Sequence, residues 1–318
     1  MSSLSIQSRI LFITSEVTFF PSSSGRKSEY INSRSEGFAD FPADLILALI
    51  ELGVDVHVAQ PDYRRIFADI SKSNPCMDDK TMPCDRMHLT EDRAFFYSNC
   101  PNANCKWENI KISLAFHREV INYILPLVQP DLIHCHDWMT GLIPAIARDF
   151  GIPCIFTFQS HETAKSTLSD VEDMGIDAAA FWQNLYFDRF PFNYEETRKT
   201  NPIDFLLSGI FAVHCVNVAD HAFFAEIGKV QNSYCKLLRQ IIADKLRSGS
   251  AVDLSNSPVD TQQYLDLYGK MLQRPLIETK KDDYKSFTDD RHGSKNISEA
   301  LPKKQGISDS FNPVMVAG

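Results

Sequence analysis

Apolar and polar positions follow two different periods along the first part of the chain. Residues 9–14 form an apolar run that predicts a first strand, and residues 54–58 alternate in the pattern of a second strand. Between them, apolar residues recur every three or four positions and predict a helix with one apolar face: Phe38, Phe41, Leu45, Leu49 and Leu52. Gly53 is expected to end that helix. This βαβ unit predicts parallel strands with helices on both faces of a sheet.

The same alternation continues to about residue 227. The predicted helices lie at 110–127, 142–150 and 204–210, and the predicted strands at 94–97, 132–134, 153–158 and 213–218. We therefore expect residues 9–227 to form a single doubly wound, Rossmann-like α/β domain, preceded by a flexible segment at 1–8. Residues 68–108 are rich in Asn, Asp, Cys and Pro, and the strand at 94–97 is the one element predicted there.

The chain changes character after residue 227. A helix and a polar linker are predicted within 228–261, followed by a second helix within 262–278. The apolar stripe of this second helix, which could dock on the first domain, is expected to consist of Leu265, Tyr268 and Leu272, flanked by Tyr264 and Met271. Residues 279–318 are charged and poor in aliphatic side chains, so a disordered tail is expected.

Composition narrows the classes of function. The 318 residues are 44% hydrophobic and carry a formal net charge of -9, which argues against a general affinity for nucleic acid or anionic membranes. No apolar run approaches the length of a membrane span and no cleavage signal follows the first one, so a cytoplasmic location is expected. Cys76, Cys84, Cys100 and Cys105 lack the paired spacing of a zinc site, and we predict free thiols, no metal and no cofactor.

The candidate chemistry is concentrated in residues 130–141. A short apolar strand stops there in a polar cluster that contains His134, His136, Asp137 and Trp138. In an open parallel sheet, ligands bind just past the carboxyl ends of the strands. Imidazole and carboxylate groups can bond sugar hydroxyls while an indole offers an apolar face, so the cluster indicates a sugar or phosphate site. A histidine here could equally be a hydrogen-bonded structural residue, and the residues alone leave both alternatives open.

Several motifs follow one another in a distinctive order. They are residues 10–17, residues 37–40 (Gly-Phe-Ala-Asp), residues 130–141 (Pro-Asp-x-x-His-x-His-Asp-Trp-x-x-Gly), residues 151–157, residues 168–173 and residues 208–212. Together they resemble the amino-terminal half of bacterial glycogen and starch synthases, the GT-B glucosyltransferases of family 5. The resemblance implies transfer of glucose from ADP-glucose to an α-1,4-glucan, in a cleft between two Rossmann-like domains.

The resemblance also implies roles for individual residues. The expected catalytic residues are His136 and Asp137. The expected sugar or glucan contacts lie in or just after two neighbouring strands: His134, Trp138, Gln159 and Ser160.

The donor's phosphates are expected to meet Arg34 and Gly37, which stand where the family has a Lys-x-Gly-Gly loop. Glu36 replaces a glycine of that loop, and its negative charge is expected to weaken donor binding. A later group of aromatic side chains could stack on glucan or simply belong to a core: Tyr186, Phe187, Phe190 and Tyr194.

In the family, most donor contacts come from the carboxy-terminal domain. The residues after 227 are too few for a second doubly wound domain, and residues 263–276 resemble the final helix that crosses back onto the first domain. We therefore expect the donor domain to be missing and the solitary chain to be impaired or inactive as a glucosyltransferase. The alternative is a non-catalytic protein that binds α-glucan or regulates a synthase. The expected partners are α-1,4-glucan, ADP-glucose and a complete glycogen synthase.

Overall fold

The computed structural model describes residues 8–15, 40–62, 84–96, 106–218, 227, 229–230, 232–252, 254 and 260–273. These residues form an α/β structure in which helices cover both faces of one parallel sheet. The predicted Rossmann-like α/β class is thereby confirmed. The predictions for residues 1–7, for most of the segment 68–108 and for the tail at 279–318 fall outside the described residues.

The strands define a doubly wound topology. They are β1 (Arg9–Ile13), β2 (Asp55–Pro61), β3 (Met87–Thr90), β4 (Leu132–His136), β5 (Cys154–Phe158), β6 (Lys165–Ser166), β7 (Ile203–Asp204), β8 (Cys215–Val218) and β9 (Ala251–Val252). Seven of them form a parallel sheet in the order β3-β2-β1-β4-β5-β8-β9, while β6 and β7 form a separate antiparallel pair. From β1 the chain first adds strands on one side and then returns to add β4 on the other, so the strand order reverses between β1 and β4.

The helices pack in two layers. They are α1 (Asp40–Glu51), α2 (Arg93–Phe96), α3 (Lys106–Glu119), α4 (Leu125–Val128), α5 (Ile143–Asp149), α6 (Leu168–Asp173), α7 (Tyr194–Thr200), α8 (Phe205–Ala212), α9 (Ser233–Arg247) and α10 (Thr261–Gln273). A π-helical turn, Val120–Ile124, joins α3 to α4. Buried residues of α3, α5, α8 and α9 share one core, and those of α1 and α10 share the core on the opposite face of the sheet.

Alternation along the central strands produces these two cores. In β4, Ile133 and Cys135 belong to the core under α5 and α8, whereas Leu132 belongs to the core under α1 and α10. Every residue of β4 and β5 is buried. Such full burial is typical of central parallel strands that are covered on both faces.

The predicted helix near the end of the described chain does dock on the sheet, although its inward face differs from the expected stripe. The fully or nearly fully buried side chains of α10 are Tyr264, Leu267, Tyr268 and Met271. Leu265 and Leu272 are only half-buried and pack at the border of the same core. Tyr268 is therefore at the centre of the contact as expected, and Tyr264 joins it there and does not flank the stripe.

Three other sequence predictions are corrected. Residues 93–96 form the short helix α2 and not a strand, because the Asp92 carboxylate accepts a hydrogen bond from the Ala94 amide (2.7 Å) and opens a helical turn. The strand predicted at 132–134 continues to His136, which places His134 inside the sheet. The polar linker predicted up to residue 261 contains β9, a two-residue strand that extends the sheet beyond β8.

Candidate functional site

The candidate site lies where the strand order reverses. His136 is the last residue of β4, and Asp137 follows it immediately. β4 is hydrogen-bonded to β1 on one side and to β5 on the other. In open α/β sheets, the crevice outside the carboxyl ends of strands at such a reversal is the usual position of a ligand. The sequence-based position of the site is thus compatible with the topology.

His136 packs against two neighbouring aromatic rings. Its ring stacks on that of His134 with centroids 4.4 Å apart, and on that of Phe12 from β1 at 5.8 Å. Only 6% of the residue is exposed. This burial lowers the His136 pKa to about 3, so the imidazole is neutral near pH 7. A neutral ring can donate or accept a hydrogen bond at a sugar hydroxyl, but it cannot supply a positive charge.

Asp137 combines backbone strain with an unusual protonation state. Its φ of 61° lies in the left-handed region, where a non-glycine residue costs on the order of 1–3 kcal/mol. Its side-chain oxygen Oδ1 accepts hydrogen bonds from the Trp138 amide (3.0 Å) and, at 3.4 Å, from the Ser160 hydroxyl. Burial, together with the charge of Glu162, raises the Asp137 pKa to about 7. The group can therefore take up or release a proton near neutrality.

Two buried residues of α3 hold the loop that follows Asp137. The Ser113 hydroxyl donates to the Met139 carbonyl oxygen (2.9 Å), and Nε2 of His117 accepts from the Leu142 amide (3.1 Å). Burial lowers the His117 pKa to about 4, which keeps that nitrogen unprotonated and able to accept. Sequence reasoning did not assign a role to either residue. Their spacing of four on a predicted helix was the available signal, because it places both on one face.

Gly141 lets this loop pack against α8. A Cβ atom built on Gly141 would lie 2.7 Å from the carbonyl carbon of Phe205 and 2.9 Å from the carbonyl oxygen of Trp138. The loop backbone and the first residue of α8 therefore approach as closely as a glycine permits. Trp138 is 7% exposed, and its ring lies 6.3 Å from that of Phe205. Its predicted role as a sugar contact stays a prediction, and the burial leaves little of the indole available for stacking.

His134 lies two residues before the carboxyl end of β4, beneath α10. Its Nδ1 is 2.8 Å from the Tyr268 hydroxyl and its Nε2 is 2.7 Å from the Thr157 hydroxyl. The residue has no exposed surface, and burial lowers its pKa well below the ordinary value. This environment fits the structural alternative that the sequence left open for one of the two histidines. Direct sugar contact by His134 stays a prediction.

The other sequence-predicted residues divide into two groups. Gln159 and Ser160 follow β5 directly and are half-buried, and the hydrogen bond of Ser160 places that residue beside Asp137. Arg34 and Gly37, the predicted phosphate contacts, lie outside the described residues. Glu162 was missed, since an exposed acidic residue in a loop carries no signal of proximity to Asp137 without the fold.

The aromatic group around residues 186–194 contributes mainly to packing. Phe187 is 3% exposed, whereas Tyr186 and Tyr194 are half-buried and pack against the larger core. Phe190 is 51% exposed and lies edge-to-face with Phe192, which is 84% exposed. Two rings of this loop are thus available at the surface, and the remainder of the predicted group is core or core border.

None of the helices in the described part of the chain combines the length and the apolar character needed to span a membrane.

Comparison with known proteins places the chain in a family. A family model described as the starch synthase catalytic domain matches residues 9–240. The glycogen synthase of Geobacillus thermodenitrificans is 29% identical over 133 residues, which cover 37% of this chain and 27% of that protein. The glycogen synthase of Geotalea uraniireducens is 28% identical over 202 residues, which cover 54% of this chain and 39% of that protein. The chain thus spans between about a quarter and two fifths of the length of these relatives.

A solved structure agrees with the fold. The catalytic domain of starch synthase IV from Arabidopsis thaliana, bound to ADP and acarbose, superposes with a TM-score of 0.51 at 15% identity. The superposition covers 78% of this chain and 51% of that one, and at this identity it supports the architecture alone. The family model, in contrast, matches more than two thirds of the 318 residues. This chain therefore belongs to the starch synthase catalytic domain family, the glycogen and starch synthase type of glycosyltransferase.

Proposed function

We propose that this chain supplies the glucan-binding side of glucosyl transfer from ADP-glucose to an α-1,4-glucan, and that it transfers glucose slowly or not at all when alone. The observation that carries the proposal is the convergence of His136, Asp137 and Ser160 at the carboxyl edge of β4 and β5. Three hydrogen-bonding groups of different kinds at this edge are able to bond the hydroxyl groups of a hexose. Family membership supports the choice of substrates.

Each group would have a distinct role. A neutral His136 would exchange a hydrogen bond with a hydroxyl of the sugar, since its stacked ring has little freedom to turn away. Asp137 would accept or donate a proton at a second hydroxyl, because its pKa is about 7. Gln159 and Ser160 would extend the contact along the edge of β5. Trp138 and His134 would support the ligand-contacting residues from the protein interior, because both are buried.

The low expected turnover follows from the charge of the donor. A nucleotide diphosphate sugar needs positive groups and exclusion of water around its phosphates, and these usually provide the largest part of the rate enhancement. Arg34 and Gly37 are our proposed phosphate contacts on this lobe, with Glu36 opposing them electrostatically. The described residues contain one doubly wound sheet, and in our proposal they would form one wall of a GT-B cleft. A complete glycogen synthase is the proposed partner that would supply the other wall.

Glucan binding can be tested by affinity electrophoresis in gels that contain glycogen. We expect the wild-type chain to be retarded and Gln159→Ala to bind about 2- to 10-fold more weakly, the effect of one lost hydrogen bond. Gln262→Ala is the matched control, because Gln262 is exposed on the outer side of α10. Unretarded wild-type protein beside a retarded glycogen synthase would contradict the proposal.

Transfer is measured separately with ADP-glucose labelled in the sugar and glycogen as acceptor. We expect the purified chain to incorporate label no faster than a control without protein. Clear turnover by the solitary chain would contradict the impairment and leave the assignment to the family intact. Retardation by glycogen without transfer, and without any gain in transfer when a complete synthase is added, would support the second candidate, a non-catalytic glucan-binding protein. Increased transfer when a complete synthase is mixed with the chain would support the proposed partner.

A further inference from the structure

A row of buried polar side chains crosses the sheet beneath α10. His134 of β4, Thr157 of β5 and Asn217 of β8 all have at most 1% exposed surface. Nε2 of His134 and the amide nitrogen Nδ2 of Asn217 both bond the Thr157 hydroxyl, at 2.7 and 3.2 Å. Buried polar groups of this kind destabilise a core unless each finds a partner. The row is continuous across three adjacent strands.

Two tyrosines of α10 complete this network. The Tyr268 hydroxyl lies 2.8 Å from Nδ1 of His134, and the Tyr264 hydroxyl accepts a hydrogen bond from Nδ2 of Asn217 at 2.8 Å. Both tyrosines are fully buried. A helix needed only to cover an apolar face would not require hydroxyl groups at the centre of its contact. The polar contacts of α10 are thus directed at particular residues of the sheet.

The network reaches the candidate site through a pair of stacked rings. His134 has a hydrogen-bond partner at each ring nitrogen, and the partners lie on different elements. Both partners are hydroxyl groups, which can donate or accept, so either neutral tautomer satisfies both bonds and the two bonds together fix the plane of the ring. The ring of His136 stacks on this plane with centroids 4.4 Å apart and an interplanar angle of 27°.

We propose that Tyr268 and His134 are positioning residues for His136, so that α10 sets the orientation of the imidazole that faces the ligand. Tyr268 fixes the ring of His134 through Nδ1, Thr157 fixes it through Nε2, and the stack transmits that orientation to His136. The ring of Phe12 borders both histidines, with its centroid 4.9 Å from that of His134 and 5.8 Å from that of His136. The identity of the ligand as a glucan rests on the proposed function, whereas the orientation of the ring does not.

The test compares Tyr268→Phe with Tyr264→Phe in the full chain. Each variant removes one buried hydroxyl from the same face of α10 and keeps the ring volume. Tyr268→Phe leaves Nδ1 of His134 without its partner, so we expect the imidazole nitrogen resonances of both His134 and His136 to shift in NMR spectra. Tyr264→Phe removes a bond to Asn217, which keeps its bonds to Thr157 and to the Leu254 amide (3.1 Å). We expect the His136 resonances of this control to match those of the wild type.

Glycogen affinity is the second readout. We expect Tyr268→Phe to bind about 3- to 10-fold more weakly, the range for loss of one well-placed hydrogen bond, and Tyr264→Phe to bind as the wild type does. If the Tyr268→Phe protein is folded and its His136 resonances are unchanged, the proposal is overturned. The helix α10 would then bury this face of the sheet without orienting His136. If wild-type protein binds no glycogen, the proposed function fails, and the ring resonances still decide the positioning.

A second pair of variants changes the hydrogen bond at Nε2, the other ring nitrogen of His134. Thr157→Val removes the hydroxyl that bonds Nε2 of His134 and keeps the shape of the side chain, whereas Thr157→Ser retains the hydroxyl. If Tyr268→Phe does not fold, this pair makes the same comparison. We expect Thr157→Val to shift the His136 resonances and Thr157→Ser to restore them. Equal spectra for the two variants would contradict the proposal.

Discussion

Gly141 provides the sharpest test of how the candidate site is built. Its φ of -65° is ordinary for any residue, so alanine would introduce no backbone strain there. The difficulty is space, because the new Cβ would meet the backbone of Phe205 and the carbonyl oxygen of Trp138. Main-chain atoms at the start of a helix cannot rotate away as the end of a side chain can. The loop after Asp137 and α8 would have to separate by about 1 Å.

The expected cost of Gly141→Ala follows from that geometry. Overpacking of a dense core typically costs about 1–3 kcal/mol, and we expect the upper end of this range because both neighbours are backbone. For a domain of this size, about 3 kcal/mol corresponds to a fall in Tm of roughly 6–12 °C. Since the same loop carries Asp137, we also expect glycogen affinity to fall at temperatures where the variant is folded.

Gly249→Ala is the matched control, because the two glycines present opposite problems. Gly249 has a φ of +69° and no heavy atom within 4 Å of the position that a Cβ would take, so alanine there meets strain without a clash. That strain is worth on the order of 1–2 kcal/mol, or a fall in Tm of roughly 2–8 °C, with glycogen affinity unchanged. Thermal unfolding followed by circular dichroism measures both variants. A Gly141→Ala protein that melts within 2 °C of the wild type would refute the close approach of the loop to α8.

Three further outcomes can be measured. Because the folded-state pKa values of His117 and His136 are about 4 and 3, the unfolded chain gains protons first as the pH falls below 6.5. The free energy of unfolding should fall by up to about 1.4 kcal/mol per pH unit for each, and urea unfolding of His136→Gln should show a slope smaller by that amount. Glu162→Gln should lower the Asp137 pKa from about 7, because it removes a like charge, and a carboxyl carbon NMR titration that shows a rise would contradict this. Thr167→Ala removes the capping box of α6, so a loss of about 1 kcal/mol and a Tm lower by roughly 2–4 °C are expected in calorimetry.

β5 could be predicted from the sequence because its apolar run is long and buried on both sides. β4 could be predicted only to residue 134, because two histidines interrupt its apolar pattern and give no signal that the strand continues to His136. The short elements could not be predicted. β3 and β9 contain four and two residues, and β2 and β8 respectively supply their hydrogen bonds. The aromatic residues after Arg93 have a high strand propensity. The hydrogen bond from the Ala94 amide to the Asp92 carboxylate nevertheless stabilises a helical turn there.

The roles of the two histidines show where sequence reasoning stops. His134 and His136 alternate with Cys135, so both side chains point to the same face of the sheet. The sequence cannot tell which of them is covered, because the cover is Tyr268, 134 residues further along the chain. Tyr264 was expected beside the apolar stripe of α10 and not within it for the same reason, because its partner is Asn217. A tyrosine belongs at the centre of a buried contact only when its hydroxyl has a partner, and that partner is a long-range one.

The strand β9 completes the sheet and the helix α10 covers it, and both follow residue 250. A fragment that stopped at residue 240, where the match to the family ends, would divide α9 and would contain neither β9 nor α10. Val216 would lose its pairing with Ala251, and the polar row on β4, β5 and β8 would meet water in place of two tyrosines. Protein expressed only to that family boundary would therefore expose side chains of β4, β5 and β8 that Tyr264 and Tyr268 bury in the full chain.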